Sequence, residues 1–146
     1  MTQALIRQTI EIWAKAFCAK DADAIMSVYA DTIVSFDIGP PLRYTGHADK
    51  RRAWQDVFAE YSGPIVYELH ELSVDVSGDL AFAHSVNHLS GTLANGKPNA
   101  FWLRWTACLH RIAGRWLIVH DHVSVPADLP HGKALTKLTP GMSLRG

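Results

Sequence analysis

The succession of hydrophobic patterns along the chain predicts an α+β domain, with helices first and a meander of antiparallel strands after them. Three observations carry this. Before Gly63, apolar residues recur at three- and four-residue spacing. Beyond Gly63-Pro64 the runs turn rich in Val, Ile, Thr and Trp and become strand-like. The pairs Ser77-Gly78, Asn95-Gly96 and Ala113-Gly114 then punctuate that second half as turns.

Thr2 is placed to cap a first helix over residues 3–19, whose buried stripe is Leu5, Ile6, Ile10, Trp13, Ala14 and Phe17. Asp21 caps a short second helix with Ala24, Ile25, Val28 and Tyr29 inward. Residues 32–37 form a strand that ends at Gly39-Pro40-Pro41, a stretch unable to continue a ladder. Thr45 or Gly46 opens a third helix with Ala53, Trp54, Val57, Phe58 and Tyr61 on its apolar side. Lys50, Arg51, Gln55 and Asp56 are assigned to its wet side, and Gly63-Pro64 ends it. Strands follow near 65–76, 79–91, 98–110 and 115–125. The chain divides into a single domain over 1–126 and an extended tail over 127–146, the latter from its spacing of Pro126, Pro130, Gly132, Pro140 and Gly141.

Residues 101–126 organise the rest, as two strands joined at Ala113-Gly114. An even loop makes facing positions sum to an odd number, which puts Trp102, Arg104, Thr106 and Cys108 on one face with Leu117, Val119, Asp121 and Val123. The opposite face carries Leu103, Trp105, Ala107, Trp116, Ile118, His120 and His122. Both faces are largely apolar, so one covers a core or pocket and the other meets a second surface.

At 146 residues the chain suits one domain, burying roughly two-thirds of its unfolded surface. Its 14 basic and 14 acidic residues cancel, and no basic run exceeds Lys50-Arg51-Arg52, which argues against nucleic acid and anionic membranes as partners. No apolar stretch is long enough to span a bilayer, and MTQALIRQTIEIW lacks a signal-peptide core. Cys18 and Cys108 have no paired spacing and read as reduced thiols of a cytoplasmic protein.

The segment YADTIVSFDIGPPLRYTGHADKRRAW, residues 29–54, resembles the corresponding part of bacterial ketosteroid isomerases. The closing GRWLIVHDHVSVP is similar to the last strand of SnoaL-like polyketide cyclases and of the calmodulin-dependent kinase association domain. These belong to the nuclear transport factor 2-like superfamily, and the resemblance covers residues 5–126. It implies a cystatin-like cone, with N-terminal helices packed in the concave face of a curved antiparallel sheet. It also places Asp37 where the isomerases keep a general base. Their two oxyanion donors fall on Trp13 and Thr106, an indole N–H and a hydroxyl that still donate. On the last strand the resemblance turns Leu117, Val119, Asp121 and Val123 toward the pocket, and on the strand before Asn95-Gly96 it likewise points Phe82, His84, Val86 and His88 inward.

Four residues are catalytic candidates: Asp37, Asp121, Arg104 and His84. Asp37 reads either as a turn-capping residue or as a pocket carboxylate acting as base among aromatic rings. Asp121 reads either as half of a structural ion pair with Arg104 or as the second of two carboxylates with divided roles. Arg104 also suits a substrate oxyanion or carboxylate, held by its two-pronged guanidinium. His84 reads as a hydrogen-bonded core residue or a proton-transfer group. The expected cavity wall is Trp13, Phe17, Tyr29, Trp54, Phe58, Phe82, Val86, Trp102, Thr106, Val119 and Val123. His120 and His122 have metal-pair spacing, but a metal needs a third convergent ligand and Asp121 points away, so no metal is expected.

Two functions follow. One is an enzyme without cofactor that abstracts a proton next to a carbonyl of a small apolar molecule, as in isomerisation, cyclisation or dehydration. The other is a non-catalytic module that binds a small ligand. In both, the outer sheet face is too apolar to stay wet and a homodimer is expected.

Overall fold

The computed structural model describes residues 1–142; residues 143–146, the end of the tail expected from the sequence, lie outside the described residues. Helix α1 (Thr2–Ala19) buries Ile6, Ile10, Trp13, Ala16 and Phe17 as a stripe. It begins at Met1 without a side-chain cap, so Thr2 is its first residue rather than its cap. Lys20 closes it in a left-handed conformation (φ 56°), its amide reaching back to the carbonyls of Ala16 and Phe17. Asp21 caps α2 (Ala22–Met26) by accepting from the Ala24 amide at 3.0 Å.

That helix stops before Tyr29, which instead opens β1 (Tyr29–Phe36). A two-residue β2 (Tyr44–Thr45) precedes α3 (His47–Glu60). Gly46, at φ 91°, makes the turn into α3. Tyr61 is extended (φ −109°, ψ 137°), so β3 (Tyr61–Ser77) runs straight through Gly63-Pro64, earlier than the sequence pattern suggests. Then come β4 (Leu80–Leu93), β5 (Pro98–Ile112) and β6 (Arg115–Ser124). Residues 127–134 form a small hairpin of β7 (Ala127–Asp128) and β8 (Lys133–Ala134) around a single 3-10 turn.

The main sheet has the order β2-β1-β6-β5-β4-β3. All its neighbours are antiparallel except β1 and β6, which run parallel with Ser35 beside Asp121. The helices cover one face of the largely antiparallel sheet, giving the expected α+β architecture. Trp13 is the centre of the core. Its indole stacks on Trp105 at 4.6 Å and meets Tyr67, Phe17 and Trp54 edge-on at 5.3 to 6.0 Å. Removing so large a buried ring costs about 3–5 kcal/mol in comparable cores.

The last hairpin corrects the expected faces. Ala113 and Gly114, both at positive φ, form the two-residue turn, and the pairs nearest it are Ile112↔Arg115 to Leu109↔Ile118, as expected. Next, however, Cys108 faces His120, which leaves Val119 as an extra residue in β6. Beyond this bulge the register is displaced by one, with Ala107↔Asp121 and Trp105↔Val123. The inner face is therefore Leu103, Trp105, Ala107 and Leu109 together with Trp116, Ile118 and Asp121. Arg104 and Thr106 are exposed on the outer face with Trp102 half-buried beside them. β4 follows the same order, with Ala81, Ala83, Ser85, Asn87 and Leu89 inward. His84 and Phe82 are exposed and Val86 and His88 half-buried, all opposite the outer residues of β5.

Candidate functional site

Alternation along β1 sends Ile33 and Ser35 to the interior and delivers Asp37, two residues on, to the end of the same row. The bulge at Val119 brings Asp121 to that interior from the neighbouring strand. Lys50 enters from the first turns of α3 and is buried as deeply as the core, at 2% exposure. Its Nζ stands 3.7 Å from Asp37 Oδ2 and 3.9 Å from Asp121 Oδ1. Trp54, 5.0 Å below the ammonium, and Tyr29 and Tyr44, at 5.7 and 5.9 Å, surround it with ring faces.

Asp121 is 1% exposed, and two hydroxyls donate to it. Ser35 Oγ bonds one carboxylate oxygen. Tyr29 donates to the other at 2.9 Å and itself accepts from the Trp13 indole N–H at 2.9 Å. Burial, and then the negative charge of Asp121, push the Tyr29 phenol well above its ordinary range, so it stays a neutral donor. A chain of contacts thus runs from the middle of α1 to the rim: Trp13, Tyr29, Asp121, Lys50, Asp37. Asp37 is the accessible end, with its side chain 27% exposed. Its other oxygen accepts from the Ile38 amide at 2.9 Å, a bond within its own turn.

These groups open on a cavity of about 460 Å³ that includes Asp37, Lys50 and Asp121 in its wall. That size is ordinary for a small-molecule site. The remaining wall is mostly apolar, with Trp13, Phe17, Trp54, Leu103 and Val123 from the expected set or beside it. Tyr67 also lines it, its phenol held by the Asn87 amide at 2.7 Å and pushed up by burial. A larger cleft of about 520 Å³ lies near Arg51 and Arg115. It contains none of the three site residues, and its Arg51 is already paired to Asp23 at 2.7 Å.

Of the four catalytic candidates the cavity unites Asp37 and Asp121. Arg104 is a correction. It lies on the outer face, donating from Nε to Ser124 at 3.0 Å, and forms no pair with Asp121. His84 is likewise outside, opposite Thr106 and Ser73. Among the expected wall residues, Phe82, Val86, Trp102 and Thr106 belong to that outer face, for the same reason of register. Val119 is the bulged residue and half-buried. Phe58 sits in the core and Tyr29 behind Asp121, neither on the cavity surface itself. His120 bonds the Val34 carbonyl through Nδ1 at 2.7 Å, and it and His122 pack against Phe36.

Lys50 and Ser35 escaped the sequence reading. Lys50 was assigned to the wet side as a charged residue, although it precedes Ala53 and Trp54 by three and four positions and so shares their stripe. Ser35 carried the alternation signal between Ile33 and Asp37.

The SnoaL-like domain family matches residues 6–128. An NTF2-like protein of unknown function from Pseudomonas putida KT2440 is 35% identical, covering 96% of this chain and 99% of its own, with a TM-score of 0.86. A ketosteroid isomerase-like protein from Erwinia carotovora atroseptica SCRI1043 is 25% identical over 83% of this chain and 93% of its own, with a TM-score of 0.73. An NTF2-like protein with a cystatin-like fold from Novosphingobium aromaticivorans shares the fold at 16% identity, covering 86% of this chain and 82% of its own, with a TM-score of 0.70. No curated protein matches the chain. No helix among the described residues is long and apolar enough to cross a membrane. With a family match over most of its length and a relative alike from end to end, the chain belongs to the SnoaL-like family.

Proposed function

We propose that the chain is an enzyme that needs no cofactor and transfers a proton next to a carbonyl in a small, mostly apolar molecule. The observation that carries this is one buried ammonium between two carboxylates at the wall of an open aromatic cavity. Asp37, the accessible carboxylate, removes the proton from the carbon beside the carbonyl. The electron pair moves onto the carbonyl oxygen, where the Lys50 ammonium offsets the new negative charge. Asp37, now protonated, returns the proton to the same or a neighbouring carbon. Asp121, fixed by Tyr29 and Ser35, holds Lys50 in place and does not touch the ligand proton.

Hydrogen–deuterium exchange tests this without a known substrate. The protein should catalyse exchange of the α-protons of 2-tetralone in D2O, followed by NMR. Asp37→Asn should abolish the acceleration while leaving 2-tetralone binding and folding intact. Exchange that is unchanged in Asp37→Asn rules the mechanism out.

A second reading is a module that binds its ligand without turnover. The bond from the Ile38 amide to Asp37 favours it, since that carboxylate already serves its own turn. Saturable binding of 2-tetralone with no exchange above buffer would support it.

The outer sheet face supports a homodimer with a composition other than the one expected. Trp105, Trp116 and Ile118 are buried in the core. The exposed apolar residues there include Leu80 (54%), Val66 (51%) and Phe82 (48%), with Val86 and Trp102 half-covered on the same face.

A further inference from the structure

The cavity does not stop at Asp37. A groove of about 460 Å³ lies beyond it, between the end of β6 and the small hairpin at residues 127–134. Asp37, Ile38 and Val123 line both the cavity and the groove. The two hollows therefore meet at the proposed base.

We propose that they form one elongated site with Asp37 at its waist, built for a two-part ligand: a compact apolar ring body with a chain that ends in a carboxylate. This rests on the reading that the inner cavity takes a small apolar molecule. The inner part supplies Trp13, Phe17, Trp54 and Leu103 for the ring body. The groove offers the apolar side chains of Val125 and Leu129 to a methylene chain and carries Lys133 on its wall. Its other charged residue beyond Asp37 is Asp128, which is occupied by His131 Nδ1 at 2.8 Å. Lys133, by contrast, has no carboxylate within ion-pair distance among the described residues. Asp37, the other acid of the wall, is paired with Lys50 at 3.7 Å, so among the described residues Lys133 is the charge of the groove left without a partner, and it selects an anionic chain end.

Tryptophan fluorescence titration with 2-naphthol, 4-(2-naphthyl)butanoate and 4-(2-naphthyl)butan-1-ol separates the parts. The butanoate should bind at least ten-fold more tightly than 2-naphthol, with the butanol between them. Ala127→Trp, which fills the groove, should erase that advantage and leave 2-naphthol unchanged. Lys133→Glu, a surface change that spares folding, should weaken the butanoate several-fold and not the butanol. Equal affinity of all three ligands for the unaltered protein, or an advantage that survives both substitutions, overturns the elongated site while the inner cavity stands. A butanoate no tighter than the butanol overturns the carboxylate. Failure of all three to bind overturns this site and the apolar-cavity reading together.

Discussion

Ile118 and Asp121 lie three positions apart on one strand, yet both point into the interior. Strict alternation forbids this, since positions an odd number apart take opposite faces. The bulge at Val119 removes the conflict by leaving one residue without a partner. The upper half of β6 can then present a carboxylate to the cavity while its lower half still presents Trp116 and Ile118 to the core.

Deleting Val119 should leave both faces intact. Ile118 and Asp121 then stand two positions apart, so regular alternation keeps both inside. The expected result is a protein that still folds, followed by circular dichroism and urea unfolding, and still binds 2-tetralone. A folded variant that has turned Asp121 or Val123 outward and lost 2-tetralone binding would show that alternation alone does not set the faces.

Lys50→Met keeps the length of the side chain and removes its charge. Asp121 then loses the ammonium 3.9 Å away while remaining buried. The expected loss is about 3 kcal/mol, the scale for removing one partner from a buried ion pair. Adding Asp121→Asn should recover part of it, and equilibrium urea unfolding of the two single variants and the double variant measures that coupling.

Tyr29→Phe leaves the Trp13 indole without an acceptor and Asp121 without one of its donors. A loss of about 1–3 kcal/mol is expected. The same phenol predicts a response to alkali. Burial raises both Tyr29 and Tyr67 above their ordinary value of 10.0, so they stay protonated in the fold after the unfolded chain has released its protons. Stability from these groups is complete below pH 10 and falls as pH rises further, by about 1.4 kcal/mol per pH unit for each. Denaturation titrated between pH 9 and 11 should show that loss, to which Tyr44 and Tyr61, also raised by burial, add, and Tyr29→Phe should reduce the slope.

Phe82→Asp should give a monomer. Light scattering at micromolar concentration should find a dimer for the unaltered chain and a single copy for the variant, with the melting temperature of the monomer little changed. A monomer in both cases would refute the dimer.

The class of the fold was legible because long periodic segments report it. The stripe of α1 and the turn at Ala113-Gly114 both appear where the sequence places them. The faces of the sheet were not legible. Their assignment rested on unbroken alternation from Leu117 to Val123, and no residue type marks Val119 as a bulge. That single residue carried Arg104, Thr106, His84 and Phe82 to the wrong side on paper, though their grouping with one another was right. Asp37 was singled out by the resemblance of residues 29–54 to the isomerases, and in the structure the row of Ile33 and Ser35 leads to it. Lys50 was hidden by the habit of reading charge as exposure, which fails where two carboxylates and three rings receive the ammonium.

The parallel contact of β1 with β6 joins Ser35 to a partner 86 positions later. Neither end of the chain can therefore assemble the chemistry by itself, however well its own hairpins or helices form. Such distant closure comes late and slowly in folding. A nascent or clipped chain should gain most of its secondary structure before it can hold a ligand, and recovery of binding should be the last signal to return on refolding.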